Sequence, residues 1–395
     1  MAELTTAKTF NRSEISRGLE KIYHIPPKPL DVCRILVLSD VHLLHRRVPT
    51  WHIIEVLKEK IISGGETLDA IYIAGDLFDD SRYLRQDESQ EAVGFLTWLL
   101  EWCRSTKTAL RIIEGTPSHD HGQSKVVEAL NITVGVDCLY LAGIGVFYDE
   151  AIKATVGWVQ DEYKDRVAVN TEAEMAELTA TRGLEKVDFF FMHGCFKFQV
   201  PIESPHWFDE DFWISRCRLG IYIGHDHREK VFSLIRVMGS VDRLAHGENE
   251  DKGMTLVDFT PTVARNYFLV NQAACPMRAV EANEDYTAQL AECLDALAYI
   301  DEHPSRAIGR FKVEYHNGSP IADHVSKWKR EYGFHIEGKR VNTKDEEQRL
   351  VAVFSTEAVV DERITPDNVE RILLEGMNGM KYDPAIVSDI VRSIQ

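Results

Sequence analysis

Short, unbroken apolar runs punctuate this chain, and several of them stop at an acidic residue or a histidine. Ile35-Leu36-Val37-Leu38 precedes Asp40, Ile71-Tyr72-Ile73-Ala74 precedes Asp76, and Leu110-Arg111-Ile112-Ile113 precedes Ser118-His119-Asp120. Phe189-Phe190-Phe191-Met192 leads into His193, and Ile221-Tyr222-Ile223 into Gly224-His225-Asp226-His227. Runs of this length without alternation are the pattern of strands covered on both faces. The five strand ends are expected to converge on one edge of an α/β fold, because ligands in layered α/β folds collect beyond the carboxyl ends of the strands.

Near residue 276 the pattern changes. A helix is predicted over 286–300 and a strand over 310–315, where Phe311, Val313 and Tyr315 alternate. A second helix over 321–332 repeats Ile321, Val325, Trp328 and Tyr332 at helical spacing, and a strand follows over 351–354. Thr365-Pro366 and Asp383-Pro384 each set a capping side chain before a first-turn proline. Val369, Ile372 and Leu373 line the first of these helices; Ile386, Val387, Ile390, Val391 and Ile394 line the second. At the amino end Ser13 can cap a short helix carrying Ile15, Leu19 and Ile22, and Pro26, Pro27 and Pro29 make a stiff extended link. Four segments follow: an arm and linker over 1–30, a main domain over 31–275, a smaller α/β cap over 276–360, and a helical segment over 361–395.

A chain of 395 residues with 44% hydrophobic composition is long enough for a large core and more than one domain. The seven cysteines form no Cys-x-x-Cys pair, which fits a reducing compartment. With no leader pattern and no long apolar stretch, a soluble cytoplasmic protein is expected.

The residues at the strand ends are those that hold two metal ions. Breaking a phosphate ester requires a nucleophile made from water at neutral pH and neutralisation of charge growing on the phosphoryl oxygens, and two divalent cations about 3.5–4 Å apart do both. So close a pair needs a bridging carboxylate, for which Asp76 is the candidate. The remaining imidazole and oxygen ligands suit manganese, iron or zinc.

The ordered set Asp40-x-His42, Gly75-Asp76-x-x-Asp79, Ser118-His119-Asp120, His193 and Gly224-His225-Asp226-His227 resembles the signature of the calcineurin-like metallophosphoesterases. That resemblance implies a four-layer α/β/β/α sandwich. It also implies a first metal on Asp40, His42 and His227, a second on His193 and His225, Asp76 between them, and His119 acting on the leaving group with Asp79 or Asp120 as its partner. One position departs: Gly115-Thr116-Pro117-Ser118-His119-Asp120 has Ser118 in place of the family's metal-binding asparagine, and a serine implies a loosely held second metal. Met238-Gly239-Ser240-Val241-Asp242-Arg243-Leu244, followed by Gly247-Glu248 and Lys252-Gly253, narrows the likeness to nucleases of the SbcD type over residues 33–270.

The SbcD likeness implies manganese-dependent hydrolysis of DNA phosphodiesters in repair or recombination, with exonuclease or endonuclease action. It further implies C-terminal helices that dock an SbcC-like ATPase. A net charge of −18 argues against a broad basic face, yet Arg46, Arg47, Arg82, Arg85, Arg228, Lys230 and Arg243 gather in loops after the metal motifs and can form a local rim for DNA. Aromatics between Phe196 and Trp213 offer either core packing or stacking on unpaired bases. The amino-terminal arm leaves homodimer formation open. A phosphatase or small-nucleotide phosphodiesterase, and a weakly catalytic DNA-end-binding subunit, are the alternatives.

Overall fold

The computed structural model describes residues 19–79, 86–162, 167–200, 202 and 204–342. Residues 13–18 of the predicted amino-terminal helix, Arg82 and Arg85, the strand over 351–354 and the helical segment over 361–395 lie outside them; the end of that predicted helix is instead a strand, Glu20–Ile22, because it pairs with a sheet edge. The described chain is a mixed α/β fold built on two large sheets. The first is seven-stranded, in the order β1 (Glu20–Ile22), β13 (Ala264–Val270), β12 (Gly253–Phe259), β2 (Cys33–Leu38), β3 (Ala70–Ala74), β4 (Ala109–Ile113) and β5 (Cys138–Leu141). The second is six-stranded: β10 (Lys230–Phe232), β11 (Ile235–Val237), β9 (Cys217–Gly224), β8 (Val187–His193), β7 (Ala154–Val159) and β6 (Ile144–Asp149). The apolar runs sit where their composition puts them, in the parallel interior of each sheet: β2, β3 and β4 in the first, β8 and β9 in the second. The single edge expected from the sequence is therefore contributed by two sheets, three strand ends from one and two from the other.

Each interior strand is covered on both faces, as its lack of alternation requires. Leu36, Ile71, Leu110 and Leu256 pack against α1 (Thr50–Gly64), through Ile53 and Leu57, and α2 (Gln86–Thr106), through Leu96, Leu99 and Leu100. The alternate residues Ile35, Val37 and Tyr72 meet Phe189, Phe191 and Tyr222, joining the sheets; Tyr72 stacks on Phe191 with centroids 3.9 Å apart. On the far side of the second sheet, Phe190, Met192, Ile221 and Ile223 meet Met175 of α4 (Ala168–Thr181) and Trp213 of α5 (Glu210–Arg216). The short α3 (Val126–Val134) packs beside α2 and β5.

Two buried ionic clusters fix these layers. Arg111 of β4 donates to both oxygens of Asp149 at 2.8 Å, and the Tyr72 hydroxyl donates to the same carboxylate, crossing from one sheet to the other. Arg34 of β2, fully buried, grips Asp258 of β12 at 2.6 and 2.8 Å and also donates to the Pro26 and Pro27 carbonyls. The proline link is thus tied to the first sheet, and β1 adds to that sheet's edge parallel to β13.

The chain divides into two compact units. The first takes in both large sheets over Met1–Ala279 with Ala296–Phe311 and Tyr332–His335; the second comprises Val280–Asp295, Lys312–Glu331 and Ile336–Gln395. A three-stranded sheet of β14 (Met277–Val280), β15 (Arg310–His316) and β16 (His335–Val341) accompanies α6 (Tyr286–Asp301) and α7 (Ile321–Glu331). Within the second unit α7 buries Ile321, Val325 and Trp328 of the stripe predicted for it but ends at Glu331, before Tyr332, and Gln289 donates to the Glu281 and Glu314 carbonyls.

Arg34→Ala leaves the Asp258 charge buried and unpaired, and urea unfolding is expected to register a loss of about 3–5 kcal/mol, whereas replacing both partners by apolar residues of similar volume costs far less. Equal losses in the single and double variants would contradict this.

Candidate metal centre

The centre begins with two loops that fold against each other. Beyond β2 and β3 the backbone amides of Asp40, Val41, His42 and Leu43 donate to the carbonyls of Gly75, Asp76, Asp76 and Leu77, at 2.9–3.3 Å, and Asp79 N–H donates back to Leu43. To make these bonds Asp40, His42 and Asp76 take left-handed backbone conformations, each at φ 49°, and His225 lies at φ 99°. Non-glycine residues in that region cost roughly 1–3 kcal/mol each and persist only where the surroundings over-determine them. Gly75, at φ 85°, meets His193 so closely that a Cβ would collide with the imidazole.

Asp40 and Asp76 are brought together by this folding, both almost fully buried. Asp40 Oδ1 faces Nε2 of His42, His193 and His227 at 4.0, 3.8 and 3.9 Å. Asp76 Oδ2 lies 3.7 Å from His42 Nε2 and 3.2 Å from His193 Nε2, so one oxygen addresses a histidine from each half of the site. The outer nitrogens are committed elsewhere. His193 Nδ1–H donates to the Ala74 carbonyl at 2.8 Å, His42 Nδ1 meets Asp79 at 3.3 Å, and His227 Nδ1 meets Glu248 at 3.0 Å. Such bonds fix the tautomer and leave Nε2 as the free donor. Burial opposes ionisation of Glu248, but His227 and Lys252 outweigh it and hold the carboxyl down at about 2.

A cation fits this arrangement. His42 Nε2 and His193 Nε2 are buried with no hydrogen-bond partner, although buried polar atoms are almost always satisfied. Burial also opposes a charge on His193, yet Asp76, then Asp40 and Asp161, pull its pKa well above the usual value. Among the described residues four overlapping groups of donors lie close enough to share an ion: Asp40, His42 and His227; His42, Asp79 and His119; Asp161, His193 and His225; and Asp40, Asp76 and His193. The sequence motifs do not single out Asp161. Its signal is a place two residues beyond β7, the same offset that sets Asp40 beyond β2 and Asp76 beyond β3.

The third motif is built differently from its sequence reading. Ser118 is exposed, and no hydrogen bond among the described residues ties it to the cluster; Thr116, directly after Gly115, occupies the centre instead. Its amide donates to Asp76 Oδ1 at 2.6 Å, and its hydroxyl lies 3.3 Å from Asp76 Oδ2, 3.0 Å from Asp161 Oδ2 and 3.4 Å from His225 Nδ1. Pro117 intervenes and the serine is carried outward, while His119 still returns to the rim.

His119, half-buried, donates from Nδ1 to Asp79 Oδ1 at 3.1 Å. That bond, ahead of the burial that opposes it, raises the His119 pKa. Between the two carboxylates offered as its partner, the geometry selects Asp79. Asp120 is fully buried and accepts from the Phe78 and Gly115 amides at 2.9 and 2.8 Å, so it holds the two loops in place and does not face the opening.

The basic rim is smaller than the sequence implies. Arg243 is buried, spending its guanidinium on the carbonyls of Ala274, Cys275 and Glu250, because it braces the turn after β11. Its neighbour Asp242 is equally internal, paired with His52 at 3.2 Å. Arg47 donates to the Leu244 carbonyl, and Lys230 pairs with Asp226 at 2.6 Å. Arg46 and Arg228 remain exposed, the latter 3.9 Å from Glu250. Phe196, Phe208 and Trp213 are core residues, whereas Trp207 is only half-buried and lines a cavity of about 260 Å³ with His206, Asp161 and His225. No helix among the described residues is long and apolar enough to cross a membrane.

No family model matches this chain, and no curated protein matches it. Among solved structures, the crystal structure of TT1561 of Thermus thermophilus aligns at 13% identity and a TM-score of 0.39, over 60% of this chain and 99% of that one. Another aligns at 9% identity and a TM-score of 0.35, over the same shares of the two chains. Likenesses this slight carry no weight beside the geometry of the centre itself.

Metal-free protein given Mn2+ at a hundred times its dissociation constant is expected to gain about 2.7 kcal/mol in stability. Thermal unfolding with and without EDTA reads this directly, and an unchanged midpoint would contradict a metal centre.

Proposed function

We propose that the chain is a two-metal phosphodiesterase that hydrolyses DNA, an SbcD-type nuclease of the calcineurin-like class with a four-layer α/β/β/α catalytic domain over residues 31–275. The observation that carries the reading is Asp76 Oδ2 set between His42 and His193, with His119 held on Asp79 at the rim. Two divalent cations, manganese being the proposed species, supply a nucleophile from water and neutralise the phosphoryl oxygens when bound. Asp40, His42 and His227 are the proposed hold on one, His193 and His225 on the other.

The remaining work falls to the chain's own residues. His119, whose pKa is raised by its bond to Asp79, is the proposed donor of a proton to the departing sugar oxygen, and a general acid of this kind contributes about 10²–10⁴-fold. Its Nδ1 is engaged by Asp79, which leaves Nε2 as the donor. Asp79 also accepts from His42 Nδ1, so one carboxylate orients the acid and a proposed metal ligand together. Asp120 fixes the loops on which these groups ride. Arg46 and Arg228 are the exposed basic residues proposed to meet the phosphate backbone. An SbcC-like ATPase bound through residues 361–395 is the proposed protein partner.

The cavity beside His225 favours one other reading. At about 260 Å³ it lies just under the range of about 300–1,000 Å³ usual for small-ligand sites, far nearer the size of a small nucleotide than of a duplex. A small-nucleotide phosphodiesterase is therefore the second reading.

Cleavage of end-labelled single- and double-stranded DNA with Mn2+, alongside a small phosphodiester, separates the two. The wild type is expected to cut DNA, His119→Ala to lose about 10²–10⁴-fold, and Asp79→Asn, which loosens both His119 and His42, to lose activity and to bind metal about 10–100-fold more weakly. Turnover of the small ester with no cutting of DNA moves the assignment to the second reading.

A further inference from the structure

Asp161 sits inside the centre, and its environment sets it apart from the carboxylates that merely buttress histidines there. Glu248 stands behind His227, on Nδ1, while His227 Nε2 faces Asp40. At His225 the order is reversed. Its Nδ1 is the inward nitrogen, 3.4 Å from the same Thr116 hydroxyl that touches Asp76 Oδ2, and Asp161 Oδ2 lies 3.1 Å from it on that inner side. Asp161 Oδ1 accepts from the Glu162 amide at 2.7 Å, leaving Oδ2 for the centre.

We propose that Asp161 is an oxygen ligand of the second cation, supplying from the end of β7 the donor that Thr116 is too short to supply from the third motif. The inference rests on the two-metal reading of the site. Asp161 Oδ2 lies 3.1 Å from His225 Nδ1 and 3.0 Å from Thr116 Oγ1, and Thr116 Oγ1 lies 3.4 Å from His225 Nδ1, separations that match the edges of a coordination shell; Asp161, His193 and His225 together bring their donor atoms close enough to share an ion. With bonds of about 2.1 Å those edges run from about 3.0 Å in an octahedron to about 3.4 Å in a tetrahedron. The Asp161 side chain is only 13% exposed, so an unneutralised charge there would be costly. Thr116 becomes a positioning residue, its hydroxyl donating to Asp161 or to Asp76. The second metal is then held by two carboxylates, Asp76 and Asp161, and carries less net positive charge than a site completed by a neutral amide.

The test counts ions directly. Metal-free wild type, Asp161→Ala, Asp161→Asn and Asp161→Ala/Thr116→Asn are titrated with Mn2+ by calorimetry, with electron paramagnetic resonance reporting spin coupling between neighbouring ions. Wild type is expected to take up two Mn2+ per chain with a coupled signal. Asp161→Ala is expected to keep the first and bind the second at least about tenfold more weakly, losing the coupling. Restoring an amide oxygen at position 116 is expected to recover the second ion, which also shows that the variant is folded. Asp161→Asn that holds the second ion at full affinity while Asp161→Ala loses it would make Asp161 an orienting partner of His225 and overturn the inference. So would two ions bound at wild-type affinity by Asp161→Ala. A wild type that takes up no Mn2+ instead overturns the two-metal reading itself.

Discussion

Everything at the centre depends on the loops after β2 and β3 being hydrogen-bonded to each other. Four amides of 40–43 are tied to carbonyls of 75–77, and the price is a left-handed backbone at Asp40, His42 and Asp76. The bonds force two carboxylates into a buried space, where each disfavours the charge of the other. Proteins relieve such a conflict with protons, with arginine or lysine, or with metal ions. Here no lysine or arginine among the described residues pairs with Asp40 or Asp76, and the histidines around them are oriented with a lone pair inward. The backbone thus creates an electrostatic demand that metal ions are able to meet, and the rest of the first unit serves to keep that demand from relaxing.

The sheets supply that rigidity. The two exits that carry Asp40 and Asp76 belong to adjacent parallel strands, and those carrying His193 and His225 to another adjacent pair in the opposing sheet. Their relative position is set by the interface between sheets, where Tyr72 stacks on Phe191 and Arg111 reaches Asp149. A ligand set divided between two sheets is as precise as the packing of that interface, and the aromatic and ionic contacts there are accordingly buried and short.

Much of this is legible from the chain alone, because strands buried on both faces leave continuous apolar runs that end abruptly where ligands begin. The failures have equally physical causes. Asp161 follows Ala154-Thr155-Val156-Gly157-Trp158-Val159, a mixed run whose polar members obscure the strand it ends. Ser118 reads as the ligand because it adjoins His119, but a loop is decided by where its backbone goes, and the position that meets Asp76 is the one after Gly115. Arg243 looks like a phosphate contact because its neighbours are turn residues. Backbone carbonyls in the same turn need donors, and they take the guanidinium. In each case the side chain is right in kind, and the competition for it is invisible one residue at a time.

The pairing of β1 with β13 has a meaning apart from the site. β13 would otherwise be the free margin of the remaining six strands, with a row of unpaired amides and carbonyls of the sort through which sheets join one another into aggregates. Residues 20–22 cap part of that margin, and Arg34 holds the prolines that lead away from it. The amino-terminal arm is therefore also a guard on solubility: a proteolytic nick in the linker would spare the residues of the centre and still leave the molecule with an open, adhesive edge.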